Sequence, residues 1–159
     1  MEEKELNLEE VYETLKQKNN LPELLELEED FDIKKIEKED EKFLIRSIRR
    51  VIGEKIGAYS QFLEILLNPS SPPLFLYSFL KNITPKQKEE IKKIYEILGK
   101  SQIEMMKLDT VYSEKEEIEF VKSFFISWQS LKKEIYSLIT EVEKSSSKDL
   151  GINKRSYLG

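Results

Sequence analysis

The sequence predicts an all-α protein, an antiparallel bundle of three long helices with a short N-terminal helix and a short apolar helix near residues 74–81. Three observations carry this. Apolar residues recur at alternating spacings of three and four over three long stretches, the pattern of a helix burying one seam. The composition pairs 39% apolar with 36% charged residues, which suits narrow buried stripes and broad solvated faces. Helix-opening and helix-breaking residues fall at the ends of the stretches, and five Gly and five Pro in 159 residues leave the interiors nearly uninterrupted.

Charge divides the chain. Residues 1–41 hold sixteen acids and six bases, a net −10, whereas residues 42–159 hold fifteen acids and twenty bases, a net +5. An acidic arm with a short helix, residues 1–41, is therefore expected to pack on a bundle formed by residues 42–144. Residues 145–159 are expected to be a flexible tail, because no apolar stripe continues into them.

In the arm, Asn7 followed by Glu10 opens a short helix with Leu8, Val11, Tyr12 and Leu15 on one face. It should stop near Asn19 and Asn20, ahead of Pro22. From Leu21 to Asp40 the pattern is ragged. A short helix and irregular chain laid over the bundle are expected there.

The first long helix should run from about Asp40 to Leu67, with Ile45, Ile48, Ile52, Ile56, Tyr59, Phe62 or Leu63, and Leu66 along its stripe. Asn68-Pro69 ends it. The connection from Asn68 to Ile83 is 16 residues, long for a helix hairpin. It contains Leu74-Phe75-Leu76-Tyr77-Ser78-Phe79-Leu80, apolar nearly all round, and a two-turn helix closing one end of the bundle is expected.

Thr84-Pro85 with Gln87 is a capping box with proline at the first helical position. The second long helix should continue to about Asp109, with Ile91, Ile94, Leu98, Ser101, Met105 and Leu108 in its seam and Met106 at its surface. Gly99 in its middle suggests a kink or a close helix contact. Thr110-Val111-Tyr112 is short enough to make a hairpin with the last helix. Ser113 with Glu116 is a second capping box. Val121, Phe124, Trp128, Leu131, Ile135, Leu138 and Val142 form the clearest seam of the chain, widened by Ile118, Phe125 and Ile139. Acids crowd the first turns, and Lys144 is expected to end the helix, complementing its dipole.

The chain has no His and no Cys. Disulfides, imidazole or thiolate metal ligands, Cys nucleophiles and His general bases are thereby excluded for these residues. The N-terminus is acidic and lacks an apolar core, so no signal peptide is expected. No run approaches the roughly 18 apolar residues of a membrane span. A cytoplasmic protein without a cofactor is the expectation.

Two clusters could carry function. Lys42, Arg46, Arg49, Arg50 and Lys55 gather three of the four arginines opposite or beside the apolar stripe. Such a face would grip phosphate, or carboxylates of a partner or of the arm around Glu28, Glu29, Asp30 and Asp32. Glu104, Asp109, Glu114 and Glu117 meet near the hairpin, where four carboxylates would hold Mg²⁺ or Mn²⁺. Trp128 is expected in the core. Tyr157-Leu158 would be a docking motif at most.

The function expected from these features is that of a non-enzymatic interaction or scaffold protein. It would bind a protein partner or a second copy through Arg46, Arg49 and Arg50 and through Leu74, Phe75, Tyr77 and Phe79. One alternative is a nucleic-acid accessory protein using the Arg46/Arg49/Arg50 face. A second is a metal-dependent nucleotide phosphohydrolase using the hairpin carboxylates.

Overall fold

The computed structural model describes residues 7–36 and 43–156, with side-chain environments through Ser147. The expected helix start at Asp40, Lys42 of the basic cluster and Tyr157-Leu158 lie outside the described residues. Within them the chain is all-α, as predicted, and contains no strand. Six α-helices follow in order: α1 (Leu8–Asn19), α2 (Leu24–Phe31), α3 (Leu44–Leu67), α4 (Tyr77–Asn82), α5 (Pro85–Thr110) and α6 (Glu114–Ser156). Short 3₁₀ turns at Ile33–Lys35 and Leu74–Leu76 follow α2 and precede α4.

Local chemistry explains the ends. The Asn7 side chain accepts from the Glu9 amide at 3.3 Å to open α1. Asn20 closes it in the left-handed conformation, φ 55°, which asparagine tolerates better than most residues. Asp32 closes α2 in the same way, φ 55°. At α5 the capping box is reciprocal: the Thr84 amide donates to Gln87 Oε1 at 2.9 Å, and the Gln87 amide to Thr84 Oγ1 at 3.1 Å. At α6 the Glu116 amide reaches Ser113 Oγ at 3.4 Å.

Two features differ from expectation. Helix α6 does not end at Lys144 but continues through the serine run to Ser156. Ser147 there turns its hydroxyl back to the Glu143 carbonyl at 3.1 Å, so the serine is accommodated without breaking the ladder. No close contact forms at Gly99, where an added Cβ would meet nothing within 4 Å; the close approach is at Gly53, whose Cβ would lie 3.0 Å from Met105 Sδ.

The chain divides into two compact units, Met1–Gly57 with Ser101–Trp128, and Ala58–Lys100 with Gln129–Gly159. The three breaks fall within α3, α5 and α6. In the first unit, α1, α2 and the start of α3 pack with the end of α5 and the start of α6. Tyr12, Leu27, Phe31 and Ile33 from the arm are buried, as are Ile45, Ile48 and Ile52 of α3 and Val121, Phe124 and Trp128 of α6. Phe31 lies 6.2 Å from Phe124 and 5.5 Å from Trp128 between ring centroids. The 21–36 stretch is thus a true helix and turn anchored by aromatic packing. In the second unit, Leu63 and Leu66 of α3, Leu76 and Phe79 around α4, Ile91, Ile94 and Leu98 of α5, and Leu131, Ile135 and Leu138 of α6 form the core. Gln87 Nε2 donates to Glu141 Oε2 at 2.8 Å, joining the start of α5 to α6.

Candidate functional site

The two charged clusters singled out in the sequence meet each other. Arg49 follows Ile48 on α3, at the edge of the buried stripe. Glu117 lies four residues before Val121, in line with the α6 seam. Packing α3 on the α5–α6 hairpin brings both inside: Arg49 is 2% exposed and Glu117 fully buried. Arg49 Nε donates to Glu117 Oε2 at 2.6 Å, and its Nη2 donates to Glu117 Oε1 at 3.2 Å and to Asp109 Oδ1 at 2.6 Å. The planar guanidinium spans both glutamate oxygens, the geometry that favours Arg over Lys at such positions.

Arg46, one turn earlier, completes the group. Its guanidinium lies over the Tyr112 ring at 5.5 Å, and its Nη2 donates to the Asp109 carbonyl at 3.4 Å. Its Nε stands 3.8 Å from Glu117 Oε1. Burial opposes the charge on Arg49, but Glu117 and Asp109 outweigh it and hold its pKa above the usual arginine value. The Arg49 hydrogen bond, supported by the charges of Arg49, Arg50 and Arg46, holds the Asp109 carboxyl below the usual aspartate range.

The expected basic face is therefore not an open one. Arg49 is interior, Arg46 is mostly covered, and Arg50 is exposed. Among the described residues, the acids that answer Arg46 and Arg49 are Asp109 and Glu117. Lys55 serves the arm instead: its ammonium donates to the Asp30 carbonyl and sits 5.6 Å from the Phe31 ring and 5.3 Å from the Trp128 ring. The sequence reading missed Tyr112, for which an aromatic between Asp109 and the capping serine, one hairpin away from an arginine pair, was the available signal.

The carboxylates are not arranged as a metal centre. Glu104 and Glu114 are exposed, while Glu117 spends both oxygens and Asp109 its Oδ1 on Arg49. Among the described residues no group of three or more Asp, Glu, His or Cys is placed to hold a metal ion.

The apolar candidates split. Leu76 and Phe79 turn inward, with Phe79 3% exposed, and anchor the segment. Leu74, Phe75 and Tyr77 turn outward at 80%, 50% and 56% exposure. A 3₁₀ turn followed by a six-residue helix cannot turn every side chain of an all-apolar run toward one core. Phe75 borders a groove of about 440 Å³ whose walls are Ala58, Tyr59 and Phe62 of α3 and Ile139, Val142, Glu143 and Ser146 of α6. The sequence pattern placed Tyr59, Phe62 or Leu63, and Ile139 along core stripes; Leu63 is buried, Tyr59 and Phe62 are half-buried and Ile139 is exposed.

Comparison with protein-family models, curated proteins and solved structures finds no match for this chain. No helix among the described residues is long and apolar enough to cross a membrane.

Proposed function

We propose that this chain is a non-enzymatic helical interaction protein that engages a protein partner or a second copy of itself through the apolar surface at Leu74, Phe75 and Tyr77. The observation that carries this reading is the exposure of these three large side chains, of which Phe75 borders a groove lined largely by apolar residues. Grouped apolar exposure of this kind marks association surfaces more often than scattered apolar residues do. The lack of His and Cys and the mutual neutralisation of Arg46 and Arg49 with Asp109 and Glu117 support a role in binding over one in catalysis.

The test compares the wild type with Leu74→Asp/Phe75→Asp/Tyr77→Asp in light scattering of the pure protein and in capture from native lysate. Self-association or capture of a defined protein, lost in the variant, is the expected result. A strict monomer that captures nothing, or capture unaltered by the substitutions, overturns the reading. The nucleic-acid and phosphohydrolase alternatives are weakened because Arg46 and Arg49 on one side, and Asp109 and Glu117 on the other, are occupied with each other.

A further inference from the structure

A second groove lies in the arm, remote in sequence from residues 74–77. The left-handed turn at Asn20 folds α2 back beside α1. Between them opens a groove of about 360 Å³. Tyr12 and Ile33, both buried, form its base, and the half-buried Leu8 and Leu24 line it. Leu25 stands exposed at its lip. The Tyr12 hydroxyl is spent inside the protein, donating to the Pro22 carbonyl at 2.7 Å, so the base presents ring and methyl surface.

The rim is acidic. Glu9, Glu13, Glu23 and Glu28 border the groove, against Lys34 as its one basic lining residue. Lys16 bridges Glu13 at 3.2 Å and Glu23 at 2.7 Å but offsets only one of these charges. The field is felt at the base: burial first, then Glu23, Glu13 and Glu26, push the Tyr12 phenol well above its ordinary pKa. The flanking sequence is net acidic on both sides, Glu2, Glu3 and Glu5 against Lys4 before it and Glu37, Glu39, Asp40 and Glu41 against Lys38 and Lys42 after it.

We propose that this groove docks a cationic amphipathic helix of a partner protein. An apolar trough edged by carboxylates fits a helix that lays apolar residues at spacings of three and four into the trough while lysines or arginines on its flanks reach the glutamates. The apolar contact supplies affinity, and the charges supply orientation and fast association. Like-charge repulsion at this rim disfavours an acidic partner.

The probe is a labelled helical peptide of leucine and lysine with leucines on one face, titrated into the full chain by fluorescence anisotropy. Two controls accompany it: a peptide of the same composition with its leucines scattered, and an acidic peptide with glutamate in place of lysine. The faced cationic peptide should bind about tenfold or more tighter than either control, and its affinity should fall as salt rises. Glu9→Lys/Glu13→Lys, and separately Leu25→Asp, all at exposed positions, should each weaken it about fivefold or more with circular dichroism unchanged. Equal binding of the scattered peptide, or indifference to both sets of substitutions, overturns the proposal. So does self-association that Glu9→Lys/Glu13→Lys abolishes, which would assign the groove to a second copy. Phe75→Asp should leave peptide binding intact, so failure here and failure of the Leu74/Phe75/Tyr77 surface are separately visible.

Discussion

Arg49 and Glu117 form a two-pronged ion pair, at 2.6 and 3.2 Å, with both side chains withdrawn from water. Pairs of this kind seldom exceed, in net stability, the apolar side chains that could replace them, yet breaking one is expensive. The loss is asymmetric because the surviving partner is left charged and buried. Glu117→Ala should therefore destabilise the fold by about 3–5 kcal/mol. The double variant Arg49→Met/Glu117→Leu should recover most of that loss. Urea denaturation of the two variants beside the wild type checks both. A double variant no more stable than Glu117→Ala would mean that the pair contributes something an apolar core cannot replace.

Asp109 gives this cluster a pH dependence. Its carboxyl titrates below the ordinary aspartate value because Arg49 stabilises the anion. Between that lowered value and the ordinary one, the unfolded chain holds a proton that the native chain does not, so native stability rises with pH across the window. The contribution is complete above the ordinary aspartate range and is lost as pH falls through the native value. Asp109→Asn should consequently be less stable than the wild type at neutral pH, with the gap shrinking toward strong acid. Since the Asp109 side chain is half exposed, solvent screening keeps the effect small. Thermal denaturation from neutral pH down to strong acid shows the convergence, and parallel curves would remove Asp109 from the account.

The glycines separate two explanations of helix stability. Nothing lies within 4 Å of a Cβ added at Gly99, whereas one at Gly53 meets Met105 Sδ at 3.0 Å and Cε at 3.4 Å. Gly99→Ala should therefore gain the full helix-propensity difference, about 1 kcal/mol. Gly53→Ala should gain distinctly less, because the nearly buried Met105 must shift to make room. Equal gains in denaturant midpoint would mean that α3 and α5 do not approach closely at Gly53.

How far the sequence spoke depended on helix length. The α6 seam from Val121 to Val142 and the α3 stripe from Ile45 to Ile56 are buried as their spacing predicts, because a long helix repeats its own signal over many turns. Helix α2 has eight residues and shows one buried pair, Leu27 and Phe31, too little for a period to emerge. Its stop is Asp32 in a left-handed conformation, where glycine would have been the plain signal. Phe120 is buried one position off the seam because it stacks on Phe124 at 5.8 Å, a contact made inside the core beside the stripe. The site was harder. Arg49 looks solvated when read alone, and Glu117, though in line with the α6 seam, has no partner that its own helix reveals. Only their convergence from α3 and α6 makes burial tolerable, and a linear pattern carries no record of which helices meet. The groove between α1 and α2 depends likewise on the Asn20 turn, not on any residue spacing.

Lys55 links α3 to the arm. Helix α2 carries no basic residue in its own last turn. The Lys55 ammonium supplies that charge from outside by donating to the Asp30 carbonyl, where the helix dipole is negative. Its position over the Phe31 and Trp128 rings, 5.6 and 5.3 Å from their centroids, adds cation–π attraction. Lys55→Met keeps most of the apolar stem and removes the charge, so packing loss is minimised. It should destabilise the protein by about 1–2 kcal/mol and alter Trp128 fluorescence, because a positive charge leaves the indole face. Hydrogen exchange should rise most in residues 24–35, which this lysine fastens, and least in α5. Unchanged exchange in that segment, with unchanged fluorescence, would show that aromatic packing alone holds the arm.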